Sequence, residues 1–214
     1  MQGSAFIKQN RDHQDRLQLL SRVFWKEADW DLLDMLKHVD ILFDINDPII
    51  REGAGLIMNI IEHPTDAVLT DLAVDYAQTF IGTSIDSPFP YESVYTSPDR
   101  LLMQEARDKV LKIYHEEGFA IPFESNEPED HISIELEFMA YLSQKIIESM
   151  EKDAKEAALG YLNRQKQFLE DHLYNWVPSF CQDIERKART DFYKGIARIT
   201  TAYLSGILNN TPRA

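Results

Sequence analysis

The chain has 214 residues, of which 44% are hydrophobic and 27% charged, as is ordinary for a soluble globular protein. Its formal net charge of −14 repels phosphate backbones and argues against nucleic acid as a partner, whereas a basic peptide would be attracted. The single cysteine, Cys181, excludes an internal disulfide, and no apolar run is long enough for an integral membrane segment. Because residues 1–16 lack the apolar stretch of a signal peptide, we expect a cytoplasmic protein.

Apolar residues recur at helical spacing along nearly the whole chain, and none of it shows a convincing strand alternation. The pattern predicts an all-α fold of roughly eight to ten helices, forming a single domain over residues 1–214. We predict helices, in chain order, over residues 12–28, 29–38, 48–63, 65–80, 97–117, 128–153, 155–176, a short segment after Pro178, and from 191 onward. Asp47–Pro48 is typical of a helix start, and Gly118 of a helix end.

The segment 82–96 is predicted to be the longest non-helical stretch, because Pro88, Pro90 and several small polar residues disfavour a helix. It nevertheless carries Phe89, Tyr91 and Tyr95. These aromatic rings could line a groove for a peptide, or they could simply cover the core. The sequence favours neither interpretation.

The segment 123–142 is predicted to begin as a polar loop and to continue as the central helix of the fold. Pro128 suits the first helical position, and acidic residues follow it in the first turn, where the helix dipole favours negative charge. Beyond them the helix is apolar over a wide arc, which is typical of an enclosed helix. Asp130 and His131 are therefore expected at the entrance to the main helix of the core.

Asp130, His131 and Glu135 are the candidates for chemistry. A carboxylate next to an imidazole is half of many catalytic sites, and His131 and Glu135, four residues apart, could provide two metal ligands. However, no third ligand follows at local spacing, and no nucleophile motif is present. We therefore favour a structural interpretation, in which Asp130 caps backbone N–H groups and His131 is a hydrogen-bonded histidine near the core.

Three regions of the chain resemble the TorD/DmsD family of chaperones for molybdenum-cofactor oxidoreductases. The pattern E-P-x-D-H-x-x-x-E-L-x-F-M, from Glu127 to Met139, resembles the signature of that family. The segments 75–82 and 90–95 resemble another conserved region, and 168–180 resembles a third. Together these regions span most of the chain in the family's order.

The resemblance implies an all-helical cytoplasmic chaperone, not an enzyme, without a cofactor of its own. It implies binding of the N-terminal twin-arginine signal peptide of a molybdenum-containing oxidoreductase, delay of its export and help with cofactor insertion. Either a monomer or a domain-swapped homodimer with a hinge near residues 119–128 is compatible with the family. The peptide-binding residues that it implies are Tyr76, Thr79, Phe80, Pro90, Tyr91, Glu92, Ser93, Pro128, Asp130 and His131. Tyr76 and Tyr91 stand where tryptophan is common in the family, which leaves the shape of the pocket open.

Two alternatives remain open from the sequence. One is a NarJ-type chaperone, whose client molybdoenzyme is not exported, and the other is a small hydrolase or metal protein that uses Asp130, His131 and Glu135. For the signal-peptide chaperone we hypothesise that an apolar groove beside Tyr76, Phe80 and Tyr91 provides most of the affinity. The acidic surface would then set the association rate and orient the two arginines.

Overall fold

The computed structural model describes residues 2–39, 46–82, 87–121 and 127–210. Within these ranges the chain forms ten α-helices and one π-helical turn, which confirms the all-α prediction. The described residues contain no β-strand beyond one isolated bridge between Tyr91 and His131. The elements are α1 (Gln2–Trp25), α2 (Trp30–His38), α3 (Pro48–Glu62), α4 (Asp66–Phe80), α5 (Glu92–Thr96), α6 (Glu105–Glu117), α7 (Ile132–Glu151), α8 (Lys155–Phe168), the π turn (Leu169–Leu173), α9 (Tyr174–Lys187) and α10 (Asp191–Asn210).

Several predicted helix boundaries are confirmed, and their caps explain why. Asp29 and Thr65 are the N-caps of α2 and α4: each has an extended backbone, and its side chain accepts a hydrogen bond from an N–H in the first turn of the helix. Asp47 does the same for α3, whose first residue is Pro48. Gly118 ends α6 in the left-handed conformation, with φ 67°, which a residue without Cβ adopts at low energetic cost. None of the described helices combines the length and apolar character that a membrane crossing requires.

Several predicted boundaries are wrong. Helix α1 begins at Gln2 rather than Asp12, and an ion pair of 2.7 Å between Arg11 and Glu151 stabilises its polar first half. The segment predicted to be non-helical ends in the short helix α5. Helix α6 begins at Glu105 rather than at Ser97, because two residues of the intervening loop are left-handed.

Helix α7 also begins later than predicted, with His131 rather than a residue before Pro128 as its N-cap. Pro128–His131 form a turn instead of the first helical turn.

Pro178, predicted to interrupt a helix, lies inside α9. Pro178 is the fifth residue of α9, so its missing N–H removes only the hydrogen bond to the Tyr174 carbonyl. Tyr174 directly follows the π turn, where the hydrogen-bonding pattern of the helix already changes.

The described chain divides into two compact units, Met1–Ser21 with Tyr91–Asn175 (unit 1) and Arg22–Pro90 with Trp176–Ala214 (unit 2). The single domain and the hinge near residues 119–128 stay predictions, and residues 122–126 of that hinge lie outside the described residues.

Unit 1 is built around α7, as its wide apolar arc predicts. Thirteen residues of this helix are buried, and α8 packs along it. Phe138 of α7 lies in an aromatic cluster, with ring centroids 4.8 Å from Tyr114 and 4.7 Å from Phe168. Each fully buried ring of this kind stabilises the fold by roughly 1.5–3 kcal/mol. The turn that precedes α7 is therefore joined to the helix around which its unit is packed.

Unit 2 contains a close crossing of α3 and α10. A Cβ atom built on Gly53 would lie 2.8 Å from the Gly195 carbonyl oxygen, and one built on Gly195 would lie 2.6 Å from the Gly53 oxygen. Only glycine allows the two backbones to approach this closely. A second cluster in this unit contains Tyr76 and Phe80 of α4, whose ring centroids are 5.0 Å apart. These two predicted site residues are thus part of a packed core.

Candidate functional site

The turn before α7 and the residue before α5 meet in the bridge between Tyr91 and His131. The two rings pack edge to face with centroids 5.1 Å apart, and the Tyr91 hydroxyl donates a hydrogen bond to the Glu127 carboxylate. The turn itself is closed by the His131 N–H, which donates to the Pro128 carbonyl at 3.1 Å. Two segments 40 residues apart in the chain therefore form one local structure in unit 1.

Asp130 caps α5 from a distant part of the chain. Its carbonyl oxygen accepts a hydrogen bond from the Glu92 N–H at 3.0 Å, and its Oδ2 accepts one from the Ser93 N–H at 2.7 Å. The N-cap residue of α5, Tyr91, makes no side-chain cap of its own, so the carboxylate takes that role. Oδ1 of Asp130 has no hydrogen-bond partner among the described residues. Burial raises the pKa of this carboxyl above its usual value.

His131 is the N-cap of α7 and is neutral. Its Nδ1 accepts a hydrogen bond from the Ser133 N–H at 3.2 Å and lies 2.6 Å from the Ser133 hydroxyl. Burial lowers the pKa of the imidazole to about 3, so it carries no charge near neutral pH. The Glu135 N–H donates to the His131 carbonyl at 3.1 Å. Among the described residues no group of three or more His, Cys, Asp or Glu side chains is placed to hold a metal ion.

A second buried histidine, His172, lies in the third family-like region but was not among the predicted site residues. The Nδ1 of His172, in the π turn, lies 2.9 Å from the carboxylate of Glu92, and both side chains are buried. The His172 ring also stacks on Phe168 at 4.9 Å. Because 80 residues separate the pair, spacing gave no indication of it. Glu92 thus connects the bridge region to the π turn within unit 1.

The ten predicted peptide-binding residues fall in both units. Unit 1 contains Tyr91, Glu92, Ser93, Pro128, Asp130 and His131, which lie together, and unit 2 contains Tyr76, Thr79, Phe80 and Pro90. Nine of the ten are buried, and only Tyr91 is partly exposed. Direct contact of the ten with a peptide stays a prediction.

The unit 2 residues of this set are held by neighbours in their own core. The Tyr76 hydroxyl donates to the Phe24 carbonyl at 2.9 Å, and Tyr76 and Phe80 are each 6% exposed. The Thr79 hydroxyl donates to Asp75 at 3.2 Å. A ligand reaches these side chains only if their packing neighbours are displaced.

An open surface hollow of about 320 Å³ lies beside the Glu92–His172 pair. Glu105 and Lys109 of α6 line one side, and Asp171 and Asn175 line another. The hollow is mixed in character, with charged side chains at its rim and the buried pair at its base. Its size is at the lower end for a small-ligand pocket, so it fits side chains of a larger partner better than a whole cofactor.

Comparison with known proteins places the chain in a family. Residues 47–182, more than half of the chain, match the family model described as the nitrate reductase delta subunit. The chain is 27% identical over 173 residues to the chaperone protein TorD of Photobacterium profundum, covering 81% of this chain and 77% of the relative. It is 30% identical over 156 residues to TorD of Vibrio cholerae serotype O1, strain El Tor Inaba, covering 72% and 69%.

A solved structure is similar in fold. The crystal structure of a proposed redox enzyme maturation protein from Archaeoglobus fulgidus superposes with a TM-score of 0.60, covering 90% of this chain and 93% of that one, at 19% identity. This likeness shows the fold, and the sequence matches show the family. The chain therefore belongs to the TorD chaperones within the nitrate reductase delta subunit family, whose members are chaperones rather than catalysts.

Proposed function

We propose that this chaperone acts in the cytoplasm, binds the N-terminal twin-arginine signal peptide of a molybdenum-cofactor oxidoreductase, delays its export and assists cofactor insertion. The observation that carries the proposal is the bridge between Tyr91 and His131, which joins two of the family-like regions in one unit. The TorD relatives and the net charge of −14 also support it.

In this proposal the buried residues of the site hold it in place, and Tyr91, its partly exposed residue, contacts the peptide. Asp130 and His131 hold α5 against the start of α7, so their side chains fix the position of Tyr91. Tyr91, the partly exposed member of the set, is the one whose ring can contact a peptide without rearrangement. In this proposal Asp130 positions the site rather than pairing with a signal arginine, because its side chain is fully buried and accepts a hydrogen bond from the Ser93 N–H.

Apolar burial and charge have different roles in this proposal. Burying roughly 400 Å² of apolar peptide surface would contribute about 10 kcal/mol before the loss of peptide freedom, at ~25 cal/mol per Å². An exposed arginine–carboxylate pair contributes only about 0–1 kcal/mol. Affinity therefore comes mainly from apolar contact, whereas the acidic surface accelerates association and orients the arginines.

A peptide titration tests the proposal. A labelled peptide with two arginines followed by an apolar stretch is expected to bind, and the same peptide with both arginines replaced by glutamine is expected to bind more slowly at low salt. Tyr91→Ala is expected to weaken binding about tenfold, because the aromatic ring no longer covers apolar peptide surface. Tyr161→Ala, another partly exposed tyrosine of unit 1, is the matched control.

Three results would contradict this proposal. The first is equal binding by the wild type and Tyr91→Ala. The second is a salt dependence found almost wholly in the dissociation rate. The third is a co-expressed client that contains as much molybdenum without the chaperone as with it.

A second candidate is the NarJ-type chaperone, which is favoured by one observation, the nitrate reductase delta subunit description of the matching family model. Both candidates bind the N-terminus of a client, and they differ in whether that N-terminus carries an export signal. Comparing peptides with and without the arginine pair separates them. A peptide that binds equally tightly and equally fast without arginines favours the NarJ-type client.

A further inference from the structure

We propose that the peptide lies in a groove along α6, with a basic residue at Asp171 and its apolar residues on the loop formed by Leu101, Leu102 and Met103. This inference rests on the proposed function, and it names the surface that receives the peptide. It differs from the predicted set of residues, nine of which are buried.

Two hollows of unit 1 form one groove. The hollow of about 320 Å³ beside Glu92 and a second of about 230 Å³ share Asp171 and His172. Along one wall, Lys109 lines the first hollow and Ile113 the second; four residues apart, they lie on one face of α6. Along the other wall, Arg164, Phe168 and Asp171 succeed one another from α8 into the π turn.

The length of this groove suits a short peptide. The lining residues of α6 extend from Glu105 to Glu117, and a helix of that length rises by about 18 Å at ~1.5 Å per residue. An extended segment of about five residues spans the same distance at ~3.4 Å each. An arginine pair and the first apolar residues after it therefore fit within the groove.

The loop before α6 presents apolar side chains to solvent at one end of this groove. Leu101, Leu102 and Met103 are 55%, 45% and 61% exposed, and residues on either side of them in the chain, Pro98 and Gln104, line the first hollow. Three consecutive exposed apolar residues are unusual on a surface that has no partner. They form a patch that an apolar peptide segment can cover.

The backbone of this loop is held in a strained shape. Met103 and Arg100 are left-handed, with φ 56° and 53°, a conformation that side chains with a Cβ rarely adopt. The Gln104 N–H donates to the Ser93 hydroxyl at 3.1 Å, and Ser93 is the residue whose N–H is capped by Asp130. The family-like turn thus supports the loop that displays the apolar patch.

The charges of the groove favour a cation as occupant. Its two bases are already paired, Lys109 with Glu105 at 2.9 Å and Arg164 with Glu117 at 2.9 Å. Asp171 is exposed where the two hollows meet, and its carboxylate makes no ion pair within the described ranges. An arginine of the peptide would supply the missing partner, with an apolar segment following over the loop.

Paired substitutions test the groove. With the labelled twin-arginine peptide at low salt, Asp171→Asn is expected to weaken binding about two- to fivefold, the range of an exposed ion pair. Leu102→Ser is expected to weaken it about five- to tenfold, because serine buries much less apolar surface against the peptide. The controls are Glu156→Gln, an exposed acid, and Leu159→Ser, a leucine that is 58% exposed; both lie on α8 outside the groove lining, and neither should change binding.

Cross-linking adds a readout that does not depend on affinity. Cys181 is buried, so a benzophenone maleimide should react with a cysteine introduced at Asn175 in the groove and with one at Glu156 outside it. We expect the bound peptide to cross-link from position 175 and not from position 156.

The outcomes separate this inference from the proposed function. A wild type that binds no twin-arginine peptide overturns both. Binding that Tyr91→Ala weakens, while Asp171→Asn, Leu102→Ser and both cross-linkers leave it indistinguishable from the controls, overturns the groove alone. If Leu102→Ser changes the oligomeric state on a sizing column and leaves peptide binding intact, the loop contacts a second copy of the chain and the inference is wrong.

Discussion

Two buried aspartates, one in each unit, each bind backbone N–H groups near the start of a helix, but only one of them uses both carboxylate oxygens. In unit 2, Asp75 caps the start of α10: Oδ1 accepts from the Arg189 N–H at 2.9 Å, and Oδ2 accepts from the N–H and hydroxyl of Thr190 at 2.7 and 2.6 Å. In unit 1, the carboxylate of Asp130 contacts α5 through Oδ2 alone, and Oδ1 has no hydrogen bond among the described residues. Both carboxylates are buried.

The hydrogen bonds of the Asp75 carboxylate are complete, whereas the Asp130 carboxylate retains one oxygen, Oδ1, that can still accept a hydrogen bond. A buried polar atom without a partner costs about 1–3 kcal/mol, so the arrangement at Asp130 is less stable than the one at Asp75. Such a cost is typically retained where a site serves a purpose other than stability. Asp130 lies in the family-like turn and supports, through Ser93, the loop that carries the apolar patch.

Replacing each aspartate by asparagine tests whether the two caps differ in stability, and the largest effect is expected for Asp75→Asn. An amide must turn its NH₂ group toward at least one of the donors of Arg189 and Thr190, just before α10, so a charge-assisted hydrogen bond is lost and two donors oppose each other. We expect a loss of about 3 kcal/mol in the free energy of unfolding. Urea unfolding followed by circular dichroism measures it. A loss below about 1 kcal/mol would show that the Asp75 cap is not needed.

The next largest effect concerns His131, beside Asp130. Burial lowers the pKa of His131 to about 3, whereas in the unfolded chain it is near 6.5. Between these values the unfolded state binds the proton and the folded state does not, so stability falls as the pH falls below 6.5. From pH 7.5 to pH 5 this linkage removes about 2 kcal/mol.

His131→Asn isolates this contribution, because asparagine retains an acceptor for the Ser133 N–H and does not titrate. The raised pKa of Asp130 acts in the opposite direction, since its charging reduces stability as the pH rises, but it is present in both proteins and largely cancels. Denaturant unfolding at pH 7.5 and pH 5 should show the smaller pH dependence in the variant. Equal dependence in both proteins would mean that His131 is protonated in the folded state.

The helices could be predicted from the sequence because their signals are local. Asp47–Pro48 and Gly118 act on the backbone next to them, and apolar spacing placed α7 at the centre of its unit. Pro128 misled because it stands where a helix often starts, yet here it belongs to a turn that pairs with Tyr91. That pairing depends on a contact distant in sequence, which periodicity does not report.

The site was predictable only in part, for a related reason. The family-like residues were recognisable in the sequence, and six of them lie together in unit 1. However, a sequence pattern does not distinguish a side chain that touches a ligand from one that holds a turn in place. The partnership of Glu92 with His172 and the exposure of Leu101–Met103 depend on tertiary packing, so neither could be read from spacing.

A smaller change is expected for Asp130→Asn than for the same substitution at Asp75. The amide can keep its oxygen toward the Ser93 N–H and place its NH₂ where Oδ1 has no partner, and the burial of a charge is removed. We expect a change below about 1 kcal/mol in unfolding free energy at pH 7.5. Measured beside Asp75→Asn, it gives the comparison directly. Equal losses at both positions would show that Asp130 Oδ1 has a partner in solution.

The smallest effect is expected for Tyr91→Phe. This variant tests whether the segments around Tyr91 and His131 are held together mainly by the backbone bridge or by the hydrogen bond of the Tyr91 hydroxyl. The variant loses the hydrogen bond to the exposed Glu127 but keeps the ring contact with His131. Because Glu127 can bond to water instead, we expect a loss of about 0.5 kcal/mol. A double-mutant cycle with Glu127→Gln measures the coupling, and a value above about 2 kcal/mol would transfer the main role from the bridge to this pair. A small coupling leaves the Asp130 cap and the bridge as the contacts that place Tyr91, consistent with a ring that remains available to a peptide.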